Sequence, residues 1–194
     1  MGYPKDFLTF LKQLSGGDVL LQVGTIEPRK GHSDSLAAME RLWAEGSSLK
    51  LVLVGGVGWK MDAFMDNLHN HPEFGQRLFW TGRVSDEALD VLYATCTGTI
   101  FPSLAEGFVL PVVESLAHQR PVLARRLDVF KGLEGHGVTL FDVNATPDAL
   151  ASEIAAWIEG PMRQPFTCPR PRPSWADAGD FILQQIADQR IDRK

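Results

Sequence analysis

The sequence predicts a doubly wound, Rossmann-like α/β domain, with a parallel sheet of about six strands and helices on both faces. Three observations carry that expectation. Apolar runs such as VLLQV, LKLVLV and PVLA are nearly continuous, the pattern of strands covered on both faces. Each gives way, through glycine or a polar turn, to an amphipathic stretch of helical period. That alternation occurs five times with short connections, which is how parallel strands joined by crossover helices read.

Residues 1–17 read as an amphipathic helix, with Phe7, Phe10, Leu11 and Leu14 at helical spacing and Ser15-Gly16-Gly17 ending it. It is expected as a lead-in rather than as part of the core, so residues 1–18 precede the domain proper. The first strand covers 19–25. A polar loop, IEPRKGHSD, leads to a helix at about 33–45 with Leu36, Met39 and Leu42 on one face. A second strand at 49–55, the loop GVGWK and a helix at about 61–70 come next, then a short strand at 77–82. Ser85 caps a helix running to 93, with Glu87 and Ala88 in its first turn. GTIFPS is the fourth strand, its helix runs from about 110 to 118, and 121–125 is the fifth. A weaker sixth strand lies at 138–142, and Thr146 with Pro147 opens a helix to 157. The domain therefore spans 19–160. Pro161, Pro165, Pro169, Pro171 and Pro173 make 161–174 an extended connection. Residues 175–194 read as a closing helix carrying Phe181, Ile182 and Ile186. There is no internal repeat.

At 194 residues, 44% hydrophobic and 22% charged, the chain is long enough for a sizeable core and ordinary for a soluble globular protein. A formal charge of −5 argues against a nucleic-acid binder but leaves room for one local anion pocket. No apolar run reaches the roughly 18 residues of a membrane span. The N-terminus lacks the pattern of a signal peptide. Cys96 and Cys168 have no metal-ligand spacing and make no disulfide framework, so a reducing cytoplasm is the default expectation. The histidines form no metal constellation. His69 and His71 are expected to be exposed, and His32 and His118 to be structural.

Ligands of open parallel sheets bind outside the carboxyl ends of the strands, which singles out loops 25–32, 55–60, 82–85, 102–110 and 125–131. Arg29 and Lys30, between a strand and a helix, read in two ways. They either neutralise a diphosphate, the Arg by forked hydrogen bonds and the Lys as a point charge, or belong to an ordinary solvated loop. GGVGWK fits neither the dinucleotide fingerprint nor the P-loop, so a plain turn is the simpler reading. Trp59 there is either a ligand wall or a packing residue.

The stretch FPSLAEGFVLPVVE, 101–114, is more telling. Glu106 lies in a turn at a strand's carboxyl end and Glu114 in the first turn of the following helix, with seven residues between them. The carboxylates would stand on the order of 10 Å apart, flanking a helix N-terminus that suits a diphosphate. A nucleotide sugar, with hydroxyls at both ends of a diphosphate, fits that layout. Surface charges favoured near a helix start are the other reading, which accounts for Glu114 better than for Glu106.

Taken jointly, VGTIEPRKGH, VGGVGW, FWTGRVSDEALDVLYATCTGTIFPS, FPSLAEGFVLPVVESLAHQRPVLA and PSWADAGDFILQQI resemble a known family. They are similar to the C-terminal, donor-binding domain of retaining GT-B glycosyltransferases of family 4 (glycosyl transferases group 1), over roughly residues 19–190. The resemblance implies transfer of a hexose from a nucleotide sugar with retention of configuration, without a required metal or other cofactor. It implies that Arg29 and Lys30 hold the donor diphosphate. Glu106, the catalytic candidate, would contact hydroxyls of the transferred sugar, and Glu114 the ribose. Gly24 and Thr25 would belong to the phosphate loop, and the backbone of Gly107, Phe108, Val109 and Leu110 would line sugar and phosphates. Val84 would lie near the base. The wording of TIEPRK, GVGW and the late proline-then-SW stretch is most similar to bacterial mannosyl- and rhamnosyltransferases of surface polysaccharide synthesis. That implies a GDP-mannose or related GDP- or UDP-linked donor and a role in lipopolysaccharide synthesis. It also implies a cytoplasmic location with at most peripheral membrane contact.

The chain departs from the family's usual residues at Thr25 (commonly Arg), Val109 and Gln119 (commonly Gly) and Arg125-Arg126-Leu127 (commonly small). It holds only one of the two domains that such enzymes close around the donor. The acceptor side is therefore expected from an N-terminal domain outside these residues, and the chain is expected to bind donor without transferring by itself. The other readings are a non-catalytic nucleotide-sugar-binding module and a GT-B-like epimerase or phosphorylase. A dinucleotide-dependent oxidoreductase is disfavoured, because no GxGxxG follows the first strand.

Overall fold

A computed structural model of the chain describes residues 7–107 and 110–166. The closing helix and the last three prolines of the connection, with Cys168, Phe108 and Val109, lie outside the described residues.

Six strands form one all-parallel sheet: β1 (Val19–Val23), β2 (Lys50–Val54), β3 (Leu78–Trp80), β4 (Gly98–Phe101), β5 (Val122–Arg125) and β6 (Val138–Phe141). Their order is β3-β2-β1-β4-β5-β6. In register, Leu21 sits between Val52 of β2 and Thr99 of β4. The helices are α1 (Phe7–Leu14), α2 (His32–Ala44), α3 (Asp62–Asn70), α4 (Asp86–Thr95), α5 (Leu110–Ala117) and α6 (Pro147–Glu159). The first three strands end sooner than their apolar runs imply, because Gly24, Gly55 and Gly82 turn the chain out of the sheet with positive φ. Ser85 and Thr146 cap α4 and α6 as expected, accepting from the N–H of Ala88 and of Ala149 at 3.4 and 3.2 Å. Three short 3-10 turns, Pro28–Lys30, Asp128–Leu133 and Pro161–Arg163, were not expected from the sequence.

Successive strand residues point to opposite faces, and the core divides accordingly. Leu20, Leu51, Leu53, Ile100 and Leu123 meet Leu36, Met39, Leu68, Leu150 and Ile154, which places α2, α3 and α6 on one face. Leu21, Val52, Val54 and Phe79 meet α1 and α4 on the other through Phe7, Leu14, Ala88 and Leu92. Phe101, Val122 and Ala124 extend that second face onto α5 through Val112 and Leu116. Each fully buried leucine contributes about 1.5–3 kcal/mol. The expectation that α1 stands outside the core is corrected. Phe7 and Leu14 are 4% and 2% exposed, and Phe10 meets the Phe79 ring edge-on at 5.5 Å, because the apolar side of α1 packs on the face formed by Leu21, Val52, Val54 and Phe79.

The order of the strands reverses between β1 and β4. The chain leaves β1 for a helix on one face and β4 for a helix on the other. The two loops part there, and an open parallel sheet has its binding crevice at such a point.

Candidate functional site at the switch point

The loop after β1 is fixed mainly by its backbone. Gly24 N–H donates to the Val54 carbonyl at 2.9 Å, Ile26 N–H to Gly56 at 2.9 Å, and Gly58 N–H to Ile26 at 2.8 Å. Ile26 is fully buried beneath them. Pro28 to Lys30 make a tight 3-10 turn that ends at Gly31, which has φ +68°. A Cβ on Gly31 would run into the carbonyl of Pro102, so the β1 loop can touch the β4 loop only with glycine here. Two hydrogen bonds complete the junction. Leu104 N–H donates to the Arg29 carbonyl at 2.8 Å, and the buried Gln22 side chain of β1 donates to the Lys30 carbonyl at 3.0 Å. The backbone that carries Arg29 and Lys30 is therefore held from both strands.

The loop after β4 turns Glu106 back toward these cations. Its Oε1 accepts from Lys30 Nζ at 2.6 Å and from Ser103 Oγ at 2.7 Å, and its Oε2 accepts from Arg29 Nη1 at 3.2 Å. The Glu106 side chain is 4% exposed, against 17% for Lys30 and 47% for Arg29. Arg29 also pairs with Glu27 at 2.6 Å. A hollow of about 330 Å³ opens beside Glu106, walled by Ala105 and by Arg126 to Val129 of the loop after β5. Gly107, after Glu106, and Thr25, on the β1 loop, are both exposed.

Glu114 lies beyond the first turn of α5 rather than in it, because the helix begins at Leu110 and a turn takes about 3.6 residues. It accepts from the Tyr93 hydroxyl at 3.1 Å, a hydroxyl that also lies 3.2 Å from the Pro111 carbonyl. Tyr93 is buried and stacks on His118 at 5.2 Å, and His118 reaches Asp90 at 3.0 Å. Sequence reasoning passed over Tyr93. The available signal was a polar tip on the otherwise apolar inner face of α4.

Arg125 is the other residue whose role the sequence did not disclose. It is 2% exposed at the end of β5. Its Nε donates to the Pro102 carbonyl at 3.0 Å and its Nη1 to the Val143 carbonyl at 2.7 Å, while Nη2 pairs with Asp34 of α2 at 2.5 Å. The guanidinium lies over the Phe141 ring at 5.2 Å. One side chain thus ties the loops after β4 and β6 to the start of α2. His32, in the same first turn, is 1% exposed. Burial, and after it the charge of Lys30, lowers its pKa to about 4, so the imidazole is neutral beneath the cationic loop. His71 corrects the expectation of exposure. Its side chain is 10% exposed, against Trp43 and 3.1 Å from Glu40, whereas His69 is exposed as expected.

Val84 falls elsewhere. It lines an apolar hollow of about 290 Å³ alongside β3, with Phe7, Phe10, Phe74, Phe79 and Trp80. Among the described residues, no group of three His, Cys, Asp or Glu side chains could hold a metal, and no helix is long and apolar enough to cross a membrane. The structure thus joins Arg29, Lys30 and Glu106 in one cluster and puts Glu114 on the helix that follows. Two fixed cations beside a helix start can hold an anion, and carboxylates near it can accept hydroxyls.

The sequence profile of the family described as glycosyl transferases group 1 matches residues 10–167. The chain is 34% identical over 189 residues to the serotype-specific mannosyltransferase WbdA of Escherichia coli, a match covering 95% of this chain and 23% of that relative. It is 32% identical over 146 residues to O-antigen chain mannosyltransferase B of Escherichia coli, covering 73% of this chain and 37% of the relative. Most of the length of these relatives therefore has no counterpart here. Among solved structures, Anabaena HepE in complex with UDP and glucose superposes with a TM-score of 0.67 at 22% identity, over 97% of this chain and 52% of that one. Sucrose-phosphate synthase from Thermosynechococcus elongatus gives 0.70 at 23%, over 99% and 50%. Those likenesses establish a shared Rossmann-like fold of the GT-B type. With the family profile matched over most of its length, the chain belongs to the glycosyl transferases group 1 family.

Proposed function

We propose that this chain is the donor-binding lobe of a retaining, metal-independent hexosyltransferase that takes a GDP-linked hexose, GDP-mannose or a close relative. The observation that carries the reading is the convergence of Arg29, Lys30 and Glu106 at the switch point of the sheet. In this reading Arg29 and Lys30 neutralise the diphosphate, both as it binds and as it departs, since fixed cations stabilise the charge that grows on a leaving group. Glu106 takes hydroxyls of the hexose, and Glu114, oriented by Tyr93, takes the ribose. Gly24 and Thr25 belong to the phosphate loop, Gly107 and Leu110 face the sugar, and Val84 lies toward the base.

Mannose as the sugar, and a role in O-antigen or related lipopolysaccharide synthesis, are supported by the names of the relatives. The acceptor side belongs to a second domain. Support comes from the share of the relatives left uncovered and from apolar side chains exposed after β2, after β4 and at the start of α5, where Trp59, Leu104 and Leu110 are each more than half exposed. The enzyme would work on the cytoplasmic side, with at most peripheral membrane contact.

Calorimetric titration with GDP, UDP, ADP and NAD tests the reading. Binding of GDP or UDP that is lost in Glu114→Ala is the expected result. Binding of NAD alone would overturn it, and multiple-turnover transfer by the isolated chain would remove the need for a second domain.

A further inference from the structure

The two cations assigned to a diphosphate are already occupied by an anion of the chain itself. Lys30 Nζ is 2.6 Å from Glu106 Oε1 and Arg29 Nη1 is 3.2 Å from Oε2. The contact joins loops 76 and 77 residues apart in sequence, and both loops are pinned by backbone hydrogen bonds, so it is built into the fold. Lys30 is mostly buried, with its stem running beside Gly24, and an ammonium so placed needs a counter-charge. A diphosphate arriving at the same ammonium would meet the Glu106 carboxylate at a few ångströms, where like charges repel strongly.

We propose that Glu106 is the resident counter-ion of the anion site. It holds Lys30, and together with Glu27 it holds Arg29, and an incoming diphosphate displaces it from both cations. The inference rests on the reading that these cations take the donor diphosphate. Ser103 is then a positioning residue. Its hydroxyl, on a residue 1% exposed, donates to Glu106 Oε1 at 2.7 Å and can keep the carboxylate at the site after the cations have changed partner. The lone pairs released by the exchange become available to hydroxyl donors. Diphosphate capture thereby switches on the hexose contacts, and the two halves of the donor are recognised in that order.

Inorganic pyrophosphate isolates the anion step, and the 194-residue chain is the protein to titrate. Glu106→Gln keeps the shape and removes the competing charge, so pyrophosphate should bind about tenfold tighter than to wild type. Asp128→Asn is the control for removing any nearby negative charge, because Asp128 borders the same hollow and pairs with Lys131 instead. It should change pyrophosphate affinity less than twofold. Unchanged, weaker or absent pyrophosphate binding in Glu106→Gln overturns the proposal, and so does an equal gain in Asp128→Asn.

Ser103→Ala provides an arm that does not depend on the first variant folding. It should leave pyrophosphate affinity within twofold while lowering the ratio of GDP-mannose to GDP affinity several-fold, and Ser103→Thr should restore that ratio. A ratio unmoved by Ser103→Ala removes the positioning role. The donor reading fails separately. If Glu106→Gln shows the gain but GDP-mannose does not compete with pyrophosphate, the counter-ion stands and the donor assignment falls. If GDP-mannose competes but the gain is missing, the reverse holds.

Discussion

His32 puts a neutral imidazole under the cationic loop, with neither ring nitrogen meeting a hydrogen-bond partner among the described residues. Its folded pKa, about 4, lies below the ordinary 6.5, first through burial and then through Lys30. The unfolded chain therefore takes up a proton at a pH where the folded one does not. Stability attributable to this residue is fully present above pH 6.5 and falls progressively as pH drops toward 4, by on the order of 3 kcal/mol in total. Urea unfolding at stepped pH should show that decline in wild type and a flatter profile across the same window in His32→Leu. Residues of this kind were only half legible. The sequence marks His32 as structural but not as buried, since one polar side chain in a first turn reads the same whether it faces water or sheet. Glu106 was legible as a site residue from its place after a strand, whereas its pairing with Arg29 and Lys30 depends on contacts 77 and 76 residues apart.

At the scale of elements, the strands and helices followed from period and caps because their signals are local. Ser85 and Thr146 announce α4 and α6, and continuous apolar runs announce the sheet. The 3-10 turns were not legible because tertiary contacts shape them. The turn at Pro28–Lys30 is clamped between Gln22, Leu104 and Pro102, by contacts that no helical or strand period announces. Gly31 is the most exacting position in that turn. Gly31→Ala adds a Cβ at positive φ and drives it into the Pro102 carbonyl, so a loss of more than about 1 kcal/mol in thermal or chemical denaturation is expected. Nucleotide affinity should fall with it, because the same shift displaces Lys30.

For the whole molecule, the strand order β3-β2-β1-β4-β5-β6 makes one crevice out of loops that are far apart in the chain. The alternation of strands and helices forecast a doubly wound sheet, but the order of its strands came only with the structure, since order depends on which neighbour each buried strand pairs with. Arg125 shows the same limit. As a sequence it read as a departure from small residues, and in the fold it braces Pro102, Val143 and Asp34 across three segments. Arg125→Met should therefore destabilise the domain by about 2–4 kcal/mol, because carbonyls and a carboxylate lose a buried charged donor. A drop in the denaturation midpoint checks this. A crystal structure of the chain with GDP-mannose shows whether the switch-point crevice is the donor site. The diphosphate is expected within hydrogen-bonding distance of Lys30 and Arg29, and the ribose on Glu114. A diphosphate touching neither cation, or a ribose away from Glu114, would contradict that assignment.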